Sequence, residues 1–168
     1  PDLIGLKVLV VDDSPTFQEI MQQLAQSLSF QVELVSSGEE AIQLIRQRDQ
    51  EGAPFKLVYM DWQMPEMNGI ETCHRIKTDT RLAVSPKLVM VTAYDRDYML
   101  RKLKGLEVAG FLAKPVTAST LMDTTMTAMG YNEQKPDKIL EADLVLEVDE
   151  NIRGAHILLV EDNEVNQQ

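Results

Sequence analysis

Five short runs of strand-like residues alternate with segments of helical spacing between Lys7 and Met129. Few folds accept that alternation. A strand, a helix and a further strand, repeated, favour a parallel sheet with helices on both faces. The first run, Lys7–Val11 (KVLVV), is apolar and stops at Asp12-Asp13. Phe17, Ile20, Met21, Leu24 and Leu28 then recur at spacings of three and four, which predicts a helix. Ser14 suits its cap and Pro15 its first turn. Gln31–Val35 alternates polar with apolar residues, so it is expected at a wetter edge of the sheet. Ser37-Gly38-Glu39-Glu40 opens a second helix carrying Ala41, Ile42, Leu44 and Ile45.

The third run, Leu57–Met60 (LVYM), ends at Asp61. Trp62–Gly69 holds Pro65, Asn68 and Gly69 and reads as a loop. Ile70, Cys73 and Ile76 predict a short helix after it. Leu88–Val91 (LVMV) ends at Thr92, and Tyr98, Leu103 and Leu106 predict the next helix. Ala109–Ala113 ends at Lys114-Pro115, and Leu121, Thr125, Met126 and Met129 predict the last helix. The expected fold is α/β, a doubly wound five-stranded parallel sheet of order 2-1-3-4-5, flavodoxin-like.

Four of the five runs thus end in a residue with chemistry to offer: Asp12-Asp13, Asp61, Thr92 and Lys114. Ligands of a doubly wound sheet bind beyond the carboxyl ends of its strands. Runs 1, 3, 4 and 5 are neighbours in the expected order, so these side chains converge. Three crowded carboxylates repel one another unless a cation neutralises them. A hard divalent ion with oxygen ligands, Mg²⁺ above all, suits such a set. A carboxylate can also attack phosphorus and form an acyl phosphate. Phosphoryl transfer asks mainly for positioning and neutralised charge, which a lysine ammonium and a threonine hydroxyl supply. Taken singly, each residue has an ordinary reading: an aspartate as cap or turn former, a strand-end threonine, a Lys-Pro turn. The joint pattern on one rim favours the chemical reading.

The segments VVDDS, MDWQMPEMNG, VTAY and FLAKP resemble the receiver domains of two-component signalling, from Leu6 to Gly130 and in the same order and spacing. The stretch MDWQMPEMNGIE is most similar to receivers attached to hybrid sensor kinases. The resemblance implies that Asp61 accepts a phosphoryl group from a phosphohistidine. It implies that Asp13 and Asp61 bind Mg²⁺ directly, with Mn²⁺ as a substitute. Asp12 assists, partly through water, and the Gln63 carbonyl is a further ligand. Lys114 would pair with the phosphoryl group, Thr92 would swing toward it, and Phe111 would be the aromatic switch residue. Phe111 lacks the hydroxyl of the tyrosine often found there. Gln63 and Tyr94 would flank the path of attacking water, and the Lys114–Pro115 bond would be cis. Slow self-dephosphorylation would follow, and the expected partner is a histidine kinase or histidine phosphotransfer domain. Two other readings stand beside this one. A pseudo-receiver would dock partners without phosphorylation, against which the intact acid set argues. A phosphatase of the haloacid-dehalogenase type needs an Asp-x-Asp at its nucleophile, whereas Trp62-Gln63 follows Asp61 here.

Composition narrows the partners. Sixteen Lys and Arg against 27 Asp and Glu give a net charge of −11, which disfavours nucleic acid. No apolar run approaches the roughly 18 residues of a membrane span, so no direct membrane contact is expected. The single cysteine, Cys73, excludes an internal disulfide framework and suits a reducing, cytoplasmic setting. It falls on an apolar helical stripe and reads as core, with His74 on the solvated face beside it. Pro1 in first position suggests a piece of a longer protein.

The domain expectation is a receiver at 1–130, an acidic linker at 131–155 and a partial repeat at 156–168. The linker stretch from Tyr131 to Arg153 holds Pro136 and seven acids against three basic residues. His156–Gln168 (HILLVEDNEVNQQ) then repeats Lys7–Glu19: Leu158 matches Leu9, Val160 matches Val11, Asp162 matches Asp13 and Gln167 matches Gln18. It reads as the first strand and helix start of a second receiver. Leaving such a strand in water forfeits about 1.5–3 kcal/mol for each side chain that could be buried. We expect it to pair with an exposed sheet edge or pack on an apolar surface, of a neighbouring molecule in preference to its own. Light scattering across concentration should show self-association by the 168-residue chain but not by one ending at Gly130.

Overall fold

The computed structural model describes residues 3–93, 101–103 and 105–131. Tyr94, Tyr98 and the repeat at 156–168 lie outside the described residues. The chain divides into two units, Pro1–Pro136 and Asp137–Gln168, and every described residue belongs to the first.

The elements run β1 (Lys7–Val11), α1 (Pro15–Ser27), β2 (Gln31–Val35), α2 (Gly38–Gln50), β3 (Leu57–Asp61), α3 (Gly69–Lys77), β4 (Lys87–Thr92), β5 (Gly110–Ala113) and a closing helix, Ala118–Met129. Residues 101–103 are also helical. All strand pairs are parallel, and the order is 2-1-3-4-5, as expected. Edge strand β2 is the only strand among the five without a buried residue, which accounts for its alternating sequence.

Strand alternation sorts the core into two layers. Leu9, Val11, Val58, Met60, Leu88 and Met90 pack with Ala41, Ile42 and Ile45 of α2 and Cys73 and Ile76 of α3. Val8, Val10, Leu57, Tyr59, Val89, Val91 and Leu112 pack with Met21 and Ala25 of α1 and Leu121 and Ala128 of the closing helix. The central strands are therefore covered on both faces, and this is why they read as unbroken apolar runs.

The helices start where the sequence signals them. Ser14 caps α1, its side chain accepting from the Phe17 amide, and Pro15 stands in the first turn. Ser37 caps α2 and accepts from the Glu40 amide. Asn68 caps α3, so Gly69, expected in the loop, is already helical. One expectation is corrected on α1. Ile20 belongs to the apolar stripe yet is 44% exposed. The helix meets the sheet through Met21 and Ala25, and Ile20 sits one residue, about 100° of rotation, away from Met21.

Tyr59 anchors the closing helix to the sheet. Its hydroxyl lies 2.5 Å from Thr125 Oγ1. Thr125 has one hydroxyl proton and donates it to the Leu121 carbonyl at 2.6 Å, so Tyr59 is the donor between them. Burial pushes the Tyr59 hydroxyl up to about 12, which keeps that proton in place. Thr125→Val leaves a buried donor without its acceptor and should cost about 1–3 kcal/mol, whereas Tyr59→Phe removes one hydrogen bond and should cost about 0.5–1.5 kcal/mol. Urea unfolding of both variants checks the order.

Candidate functional site

The rim at the carboxyl ends of the strands gathers most of the residues singled out in the sequence. Asp12 directly follows β1 and its amide donates to the Val35 carbonyl at 3.2 Å. Asp61 is the last residue of β3 and faces Val91 of β4 in register. Thr92 ends β4 opposite Ala113, and the Lys114 amide donates to the Thr92 carbonyl at 2.8 Å, which carries the ladder one step further. The Lys114–Pro115 bond is cis.

Lys114 Nζ lies 2.8 Å from Asp12 Oδ2 and 2.8 Å from Asp61 Oδ1. Asp12 is 1% exposed and Asp61 6%, while Asp13 is exposed. One carboxylate oxygen from each of Asp12, Asp13 and Asp61 lies within 4.8 Å of the others. Three carboxylates against one ammonium leave two negative charges, which a single divalent cation would offset. The donors are hard oxygens, and the exposed Asp13 leaves a side open to water. That set fits Mg²⁺, which keeps part of its hydration shell.

Local hydrogen bonds fix each carboxylate. The Ser14 amide donates to Asp12 Oδ1 at 2.9 Å. Gln18 Nε2 donates to the Asp12 carbonyl at 2.6 Å and the Val35 carbonyl at 2.9 Å, tying α1 to the ends of β1 and β2. The Gln63 amide donates to Asp61 Oδ2 at 3.1 Å. Burial raises the Asp61 carboxyl above its ordinary value; the hydrogen bond from Lys114 works against the rise, and the Asp12 charge adds to it. Burial alone would lower the Lys114 ammonium, but its hydrogen bonds to Asp12 and Asp61 prevail and raise it. The lysine is thereby held protonated beside the acids.

The loop after Asp61 is closed by glycine. The Gly69 amide donates to the Trp62 carbonyl at 3.1 Å. A Cβ at position 69 would fall well inside contact distance of the Asp61 carbonyl oxygen. Nothing in the sequence marked Gly69 beyond a turn former, because the close approach depends on where α3 lands. In the sequence Phe17 is likewise one member of an apolar stripe. Its ring lies beneath Lys114 Nζ, 4.1 Å from the ammonium to the ring centroid. Thr92 is buried and Phe111 half-buried, and Phe111 packs against the α2–α3 layer of the core. Tyr94 lies outside the described residues.

Residues 8–126 match the family described as response regulator receiver domain. The signal transduction histidine-protein kinase BarA of Escherichia coli is 32% identical over 118 residues, 70% of this chain and 12% of BarA. The chain thus spans a small part of that relative. The chemotaxis protein CheY-3 of Vibrio cholerae is 30% identical over 138 residues, 82% of this chain and 93% of CheY-3. Among solved structures, the receiver domain of the histidine kinase CKI1 from Arabidopsis thaliana, complexed with Mg²⁺, is 27% identical with a TM-score of 0.62. It covers 73% of this chain and 92% of that chain.

Cys73 stands apart from the site. It is fully buried, and its thiol donates to Met90 Sδ at 3.6 Å. Burial pushes the thiol up from 9.0 to about 12. A raised value in the folded state means the thiol's contribution to stability is complete below pH 9.0 and is lost as pH rises toward about 12. The nucleophilic thiolate is therefore scarce at neutral pH. Cys73 should resist Ellman's reagent at pH 8 in the native chain and react promptly in urea. Rapid native reaction would contradict this burial.

Proposed function

Because the chain belongs to the response regulator receiver domain family of two-component signalling, we propose that it accepts a phosphoryl group on Asp61 from a phosphohistidine donor. The observation that carries this reading is the placement of Asp61. Its carboxylate is nearly buried, lies 2.8 Å from the Lys114 ammonium, and shares the rim with Asp12 and Asp13. In the proposed step an Asp61 carboxylate oxygen attacks phosphorus. The phosphorus–nitrogen bond of the donor breaks, its electron pair stays on the imidazole nitrogen, and the ring takes up a proton from water. The product is an acyl phosphate on Asp61 and a free histidine.

Lys114 then exchanges a carboxylate partner for a phosphoryl oxygen, a short movement from where it already stands. A Mg²⁺ ion held by Asp12, Asp13, Asp61 and the Gln63 carbonyl would neutralise charge on the equatorial oxygens. Thr92 supplies a hydroxyl one strand away, and with Phe111 it forms the switch that reports the phosphorylated state. The partner is a histidine kinase or a histidine phosphotransfer domain. A setting within a hybrid kinase is supported by the likeness to BarA, and the segment 156–168 reads as the start of a second receiver. Among the described residues no helix is long and apolar enough to cross a membrane; a cytoplasmic location is part of this reading.

Incubation with acetyl phosphate and Mg²⁺ should add one base-labile phosphoryl group. Asp61→Asn should abolish the label at that position, and chelation of Mg²⁺ should abolish it in the wild type. Trp62, the single tryptophan, adjoins Asp61, so its fluorescence should report Mg²⁺ binding without any phosphodonor. Asp13→Asn should weaken that response. Wild-type labelling by Asp61→Asn would sink the assignment.

A further inference from the structure

Among the described residues, the Lys114 ammonium meets the carboxylates of Asp12 and Asp61 and the face of the Phe17 ring. The carboxylates stand at strand ends and carry chemistry by their type, whereas the ring comes from the apolar stripe of α1. A cation 4.1 Å from a ring centroid is well inside the range at which the negative face of the ring attracts it. Three features make the contact more than incidental packing. Phe17 is only half-buried: it packs against the core layer in which Met21 and Ala25 are fully buried, so packing alone does not enclose its ring. The Phe17 amide also donates to Ser14 Oγ, while the Ser14 amide donates to Asp12. One capping turn therefore places both the ring and an acid that Lys114 contacts. Finally, the Lys114 side chain is 27% exposed, so its flexible four-carbon stem has solvent to escape into.

We propose that Phe17 is a positioning residue for Lys114, its ring holding the ammonium over the acid cluster so that it meets the incoming phosphoryl group already in place. The inference rests on the role of Lys114 in phosphoryl transfer set out above. The ring has a further merit as a partner. A third carboxylate at this position would have to be broken away from Lys114 when the phosphoryl oxygen arrives. The ring face offers no lone pair and no full charge, so it restrains the lysine without competing for its donors. It also adds no negative charge to a site that already carries three acids.

The test is a double-mutant cycle on the rate of labelling by acetyl phosphate with Mg²⁺, read by intact-protein mass. Phe17→Leu keeps an apolar side chain and removes the ring face; it should slow labelling about two- to tenfold, the range expected of a partly exposed cation–π contact. Phe17→Tyr keeps the face and should label within about twofold of wild type. In a Lys114→Met background, Phe17→Leu should have no further effect, because the ring would have nothing left to position. An equal slowing in both backgrounds would show that Phe17 acts by packing alone and would overturn the proposal, as would wild-type labelling by Phe17→Leu. If Lys114→Met itself labels at the wild-type rate, the lysine's role fails, and that failure is read separately from the behaviour of Phe17. Should Phe17→Leu fold poorly, fluorinated phenylalanines at position 17 keep the ring's shape while draining its face. The rate should then fall stepwise with fluorine count, and a flat series would overturn the proposal.

Discussion

The ammonium of Lys114, 2.8 Å from both Asp12 and Asp61, is the contact on which the rest of the rim depends. Two carboxylates that are almost wholly buried and adjacent would each lose hydration and repel the other. One lysine reaching both makes the pair tolerable, and it does so only because β5 ends beside β4 with its ladder extended by the Lys114 amide. The arrangement still leaves the site short of positive charge. Burial keeps Asp61 above its ordinary proton affinity despite the lysine. A site left in that state is suited to receive a cation, and it is a poor place for ordinary structural ion pairing, which would have balanced its charges.

Strand alternation adds a division of labour. Asp61 follows the phase of Leu57 and Tyr59, and Lys114 that of Leu112, so both belong to the face covered by α1 and the closing helix. Thr92 follows Leu88 and Met90, whose face is covered by α2 and α3, and Phe111 packs on that same side. The residues proposed for chemistry and those proposed for the switch therefore sit on opposite faces of one sheet, joined at its rim. Helix α1 serves the first group directly. Its cap fixes Asp12, Gln18 ties β1 to β2, and Phe17 lies under Lys114.

Burial also separates the reactive groups from the inert ones. Cys73 and Tyr59 are nucleophilic in principle, yet each is enclosed by apolar neighbours and held protonated. Asp61 has the same tendency but is opened toward Asp13 and paired with a cation. The difference lies in position: Tyr59 inside β3 and Cys73 on the sheet-facing side of α3 are sealed between sheet and helices, whereas Asp61, the last residue of β3, meets the open end of the sheet.

The sequence by itself determined the alternation of elements, the sheet order and which strand ends carry acid, hydroxyl and amine. Periodicity and capping are local, and a parallel sheet brings its strand ends together whatever the details of packing. Edge placement of β2 was legible for the same reason, since its polar alternation reflects one-sided burial. The tertiary structure alone decided which side chains of the stripes matter. Ile20 and Phe17 belong to the same apolar stripe of α1, yet the way the helix packs on the sheet leaves one partly exposed and brings the other beneath Lys114. Gly69 looked like any turn glycine until α3 was set against the Asp61 carbonyl. Such contacts depend on the distance and angle between elements far apart in the chain, and no spacing along a sequence encodes them.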